Sequence, residues 1–179
     1  MDFATTLKFA HVLAAVLWVG GGFATIVAGI VLAGRSTAQT QLAIVQAVVL
    51  LAPRLFIPAS IFTLASGVTL LFAAGWGWQP FTVLGLAGVI FTAGFGATVL
   101  GPSCERALKL AETHGPEAAI PALRRVQRLA MMDYAVQFAI VFLMVAKPGW
   151  SDLAVFGGIG SVIALAALAA LRPVRHAAV

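Results

Sequence analysis

The chain has 179 residues, 61% hydrophobic and only 9% charged, with a formal net charge of +5. Charge this sparse excludes a soluble globular domain and points to a multi-pass membrane protein built as a single membrane domain. The 11 basic residues are scattered around apolar runs, as topology signals are, so membrane lipid rather than nucleic acid is the expected partner.

The first apolar run, Leu7 to Ala33, is long enough to cross a bilayer, which takes about 20 apolar residues. Its small-residue end near Val31-Leu32-Ala33 resembles a signal-peptide cleavage site. The run is too long for one, and Asp2 stands where a basic segment belongs, so it is expected to be retained. His11 lies inside this span, and an ionisable side chain there is costly enough to mark a functional position. At helical spacing, Lys8, His11, Ala15, Trp18 and Gly22 share one face. Beside them Gly20, Gly21 and Gly22 remove side-chain bulk, so a backbone or a flat ligand can come close. This face reads as the wall of a site.

Gly34 and Arg35 end the first span, and Ser36 with Gln39 forms a capping box that opens a helix to about Leu51. Pro53 and Pro58 flank Arg54, and an arginine deep in lipid costs about 2.5 to 3.5 kcal/mol. The second span is therefore placed from Leu55 to Ala74, with residues 37–52 at the membrane surface or packed obliquely and Arg54 snorkelling to the interface. The turn Gly75-Trp76-Gly77-Trp78-Gln79-Pro80 leads into a third span, Phe81 to Leu100, in which Ala93, Ala97 and Gly101 keep a close-packing spacing. Residues 102–128 turn polar and carry Arg124, Arg125 and Arg128. The fourth span, Leu129 to Ala146, starts beside Asp133 and Gln137; Asp133 is expected to pair with Arg54, the functional alternative being a proton path or a quinone-head site. The fifth, Leu153 to Leu171, carries Gly157, Gly160, Ser161 and Ala164 at packing positions, and a basic tail follows.

The fold expected is an all-α, polytopic bundle of about five transmembrane helices, with polar cytoplasmic segments near 35–54 and 102–128. Arg35, Arg54, Arg106, Lys109, Arg124, Arg125, Arg128, Arg172 and Arg175 fall on one side of it, Lys8 and Lys147 on the other. Nine against two puts the N-terminus outside and the C-terminus in the cytoplasm of a bacterial inner membrane. Trp76, Trp78 and Trp150 then occupy outer turns, where interfacial tryptophan belongs.

In that orientation His11 and Met144 each lie about one turn below the outer surface. The pair suits a b-type haem with His11 as one axial ligand and Met144, or the His11 of a second copy, as the other. Lys8 and Lys147 stand near the propionates. The same pair suits copper, since imidazole and thioether both bind it. His114 and His176 fall in polar segments without enclosing partners. Cys104, the single cysteine, makes neither an intrachain disulfide nor a paired metal motif.

The run His11 to Trp18-Val19-Gly20-Gly21, its lead-in Leu7-Lys8-Phe9-Ala10 and the late Met144-Val145-Ala146-Lys147-Pro148 resemble a family over nearly the whole chain. It is that of the small bacterial integral membrane proteins grouped as a domain of unknown function. That family is distantly similar to copper-resistance D type membrane domains and to HemJ-type protoporphyrinogen oxidase, which share a first-helix His followed by a Trp and small residues. The HemJ resemblance implies haem at His11 and redox chemistry, and the copper-resistance resemblance implies copper passage. Each carries over His11 and the Trp-Gly-Gly face and supplies no second axial ligand. Three readings follow: a b-type haem protein with an electron-transfer role and a membrane redox partner, a copper-handling protein, and an accessory subunit packing into a larger complex or a homo-oligomer.

Overall fold

The structure is a computed structural model and describes residues 2–33 and 37–171. Gly34, Arg35, Ser36 and the tail with Arg172, Arg175 and His176 lie outside the described residues. Five helices are long and apolar enough to span a membrane: α1 Phe3–Leu32, α2 Ala38–Ala73, α3 Pro80–His114, α4 Pro116–Ala146 and α5 Leu153–Leu171. The all-α, five-span expectation is met, and no strand interrupts it among the described residues. Asp2 caps α1 by accepting from the Thr5 N–H at 2.7 Å, which satisfies one orphan donor of the first turn.

The interior prolines do not end helices where the sequence places the ends. Residues Ala52–Phe56 form a π-helical turn that carries Pro53 within a continuous 36-residue helix. A wider turn absorbs the missing proline N–H groups without breaking the rod. The expected start of the second span at Leu55 is thus corrected: residues 38–51 continue the same axis instead of lying along the membrane surface. A second π-turn, Gly96–Leu100, precedes Pro102 in α3 and has the same effect. At about 1.5 Å per residue, α2 and α3 exceed 50 Å, well beyond a hydrocarbon core of about 30 Å. Their polar ends therefore project as helices rather than loops. With the first half of α4 they close a second core of Leu42, Val45, Cys104, Ala107, Ala119, Leu123 and Val126.

Within the spans α1 packs on α2 and α3 on α4, while α5 leans mainly on α4. Glycines set the closest approaches. A Cβ on Gly85 or Gly88 would run into Met144 or Ile140 of α4. The close-packing register of α3 is therefore Gly85 and Gly88, whereas Ala93 and Ala97 are exposed. On α5, Gly157 and Gly160 face open space, and Ser161 spends its hydroxyl on the Gly157 carbonyl. The second half of α1 meets α4 where Gly22 lies against Tyr134 and Phe23 packs edge-on to Phe138, with ring centroids 5.2 Å apart.

Candidate functional site

Above that crossing, α1, α2, α3 and α4 enclose a cleft of about 500 Å³ with mostly apolar walls. Among its apolar lining residues, Val12 and Val16 on α1 and Phe138, Val141 and Val145 on α4 are exposed, as are Val68 on α2 and Trp78 in the turn after it. The cleft thus opens sideways, between α1 and α4, onto the surface that faces lipid.

His11, Trp18, Met144, Lys8 and Lys147 all line this one cleft. Gly21 and Gly22 do not. Residues Val16–Gly20 form a third π-turn, and its larger step per turn slips the register of the α1 face. Gly20 consequently reaches the cleft, Gly21 turns toward Phe56 of α2, and Gly22 turns to Tyr134. Trp18, only 8% exposed, is both a wall of the cleft and a packing centre with Ala59 and Val89.

His11 is seated by α2. Its ring lies against Gly67, where a Cβ would come within 3.2 Å of Cε1, and its Nδ1 is 2.9 Å from Ser66 Oγ. Ser66 Oγ also lies 2.5 Å from the Phe62 carbonyl; with its hydrogen on that carbonyl, the hydroxyl accepts from a proton on Nδ1. The Thr63 carbonyl, which can only accept, also meets the ring. Neutral imidazole with its proton on Nδ1 leaves the Nε2 lone pair as the ligating position. Met144 rests its methyl against Gly85 on the opposite side.

Charge gathers at the mouth. Lys8 Nζ stands 5.7 Å and Lys147 Nζ 5.3 Å from the Trp76 ring centre, so the indole lies between two cations. Lys147 also faces Phe81 at 5.6 Å. Its backbone is left-handed, with φ of 46°, at the end of α4. That conformation costs a non-glycine residue on the order of 1–2 kcal/mol, and Pro148 after it prevents the helix from continuing.

At the inner end stands Gln137, which lines the cleft while only 3% exposed. Its Nε2 donates to Asp133 Oδ2 at 2.7 Å. Gln137 Oε1 and Asp133 Oδ1 are buried without a hydrogen-bond partner among the described residues. The expected Asp133–Arg54 pair does not form. The π-turn leaves Arg54 exposed, and its Nη1 donates to the Leu50 carbonyl of its own helix at 2.8 Å. Arg54→Gln is accordingly expected to change stability by less than about 0.5 kcal/mol, read as melting temperature in detergent. A loss of about 3–5 kcal/mol, the signature of a broken buried pair, would contradict this.

Ser66, Gly67, Trp76 and Gln137 enter the site without having been assigned to it from sequence. The spacing Ala59, Thr63, Ser66 and Leu70 was the available signal, since these buried residues mark one inward face of α2. His114 pairs with the Thr113 hydroxyl on the exposed end of α3, away from the cleft.

Comparison with curated proteins and with solved structures finds no match. Residues 5–148, which hold every residue of the cleft, match a predicted integral membrane protein family, DUF2269, and the chain belongs to that family.

Proposed function

We propose that the cleft holds a b-type haem, with His11 Nε2 as an axial ligand, and that the protein passes electrons within the membrane or supports a membrane oxidoreductase. The observation that carries this reading is the His11–Ser66 contact at 2.9 Å, which orients the ring and leaves Nε2 as the lone-pair nitrogen. The surroundings fit the group. Apolar walls suit the macrocycle, and Lys8 and Lys147 at the mouth suit its propionates. Met144 lines the same cleft and is the second axial candidate within the chain; the His11 of a second copy is the other. Bound there, haem supplies one-electron redox chemistry. The chain's own part is to orient the imidazole, to neutralise carboxylates and to exclude water.

For copper, His11 and Met144 are two ligands, and the described residues hold no group of three or more His, Cys, Asp or Glu side chains to add to them. The proposed setting is a bacterial cytoplasmic membrane with the cleft toward the outer face, argued from the nine-to-two division of basic residues.

The test is a reduced-minus-oxidised visible spectrum of detergent-purified protein expressed with ample haem. A b-type signal that is lost in His11→Ala is the expected result. A folded preparation with no such signal would overturn the haem reading.

A further inference from the structure

We infer that the inner end of the cleft binds the head of a lipid-borne quinol through a hydroxyl that donates to Gln137 Oε1. The inference goes beyond the haem reading and stands without it. Gln137 lies seven residues from Met144 along α4, about 10 Å at the helical rise, so the two ends of the cleft are separate places.

The polar atoms at this end dictate what they recognise. Gln137 uses its amide nitrogen on Asp133 Oδ2 at 2.7 Å, and this turns the amide oxygen away from the carboxylate. What remains is Gln137 Oε1 and Asp133 Oδ1, two buried oxygens without a hydrogen-bond partner among the described residues. An unpaired buried acceptor is costly, and a ligand O–H removes that cost. A carbonyl brought to the same place would oppose it.

Depth and access narrow the ligand further. Gln137 is ten residues from Lys147 at the mouth, about 15 Å along the helix, which is half the thickness of a hydrocarbon core of about 30 Å. An ordinary lipid keeps its polar groups at the surface, whereas a quinol carries an aromatic ring with hydroxyls on an isoprenoid tail and travels within the apolar interior. The gap between α1 and α4 gives such a molecule a lateral entrance. Trp18, Phe138 and Val89 line the way to Gln137 with aromatic and aliphatic surface that suits a flat ring.

Because the Asp133 carboxylate fixes the amide, the site favours the reduced form, which donates, over the quinone, which only accepts. The experiment uses the full chain in lipid nanodiscs, with decylubiquinol and decylubiquinone as probes. Binding is read by equilibrium dialysis against empty discs. Wild type is expected to bind the quinol at least tenfold more tightly than the quinone. Gln137→Leu is expected to bring the quinol down to the level of the quinone. Asp133→Asn releases the amide to reverse, so the preference narrows because quinone binding rises. Equal affinity for the two probes in wild type overturns the inference. So does an unchanged preference in a Gln137→Leu protein with wild-type helicity and melting. His11→Ala separates the two proposals: it is expected to lose the haem signal and to keep the quinol preference, while loss of preference beside an intact haem signal in Gln137→Leu assigns the effect to this end alone.

Discussion

Replacing Gly22 with alanine is expected to lower stability by about 1–3 kcal/mol, the usual cost of forcing a methyl into a filled contact. The added Cβ lands on Tyr134 Oη and within 2.9 Å of Cζ. A flexible side chain would swing aside, but Tyr134 is a buried ring held between Phe23 and Phe138, whose centroids lie 6.3 and 6.0 Å away. Relief therefore has to come from α1 and α4 moving apart at their crossing. Tyr134→Phe removes the oxygen that the methyl meets first, so the double variant is expected to recover part of the loss. Melting temperatures of the four proteins in one detergent give the coupling between the two sites. Additive losses, or a Gly22→Ala protein that melts with wild type, would show that the crossing is looser than this geometry.

The crossing has a functional consequence as well as a structural one. Below it α1 and α4 touch, and above it they part and leave the gap that opens the cleft to lipid. Gly22 thus sets the close contact from which the gap opens, although it is not one of the cleft's own walls.

That division explains which features were legible in the sequence. Apolar length alone gave five spans, because the bilayer sets a minimum that few soluble helices meet. The cost of a buried imidazole singles out His11, and the common level of Lys8, Lys147 and Met144 follows from counting residues along antiparallel helices. The readings that fail are those that carry a regular period across an irregular turn. A period of 3.6 carried from Lys8 to Gly22 ignores the π-turn at Val16–Gly20, so Gly22 lies off the cleft face. Pro53 does not end a helix, because a π-turn passes it within a single one. With that end removed, Arg54 was no longer the natural partner of Asp133. The free oxygen of Gln137 is hidden from the sequence for a different reason: residues four apart on one helix are visible, but an oxygen left without a donor is a property of the packed bundle.

Ser66→Ala tests whether the seating of His11 matters, and it leaves the ligating nitrogen in place. The Ser66 hydroxyl accepts from Nδ1 at 2.9 Å and is itself held by the Phe62 carbonyl at 2.5 Å. Without it the ring loses the acceptor that fixes its tautomer, and outer-shell losses of this kind typically weaken metal or cofactor retention about 10- to 100-fold. Haem transfer to a scavenging apoprotein, timed by absorbance, is expected to accelerate over that range, with Ser66→Thr restoring slow release because it keeps a hydroxyl. A second readout needs no haem: ring nitrogen chemical shifts of ¹⁵N-histidine protein should show the His11 tautomer preference weakened in Ser66→Ala and retained in Ser66→Thr. If neither haem release nor the tautomer responds, the hydroxyl only fills space between α1 and α2. His11 would then be oriented by the Thr63 carbonyl and by its bed on Gly67.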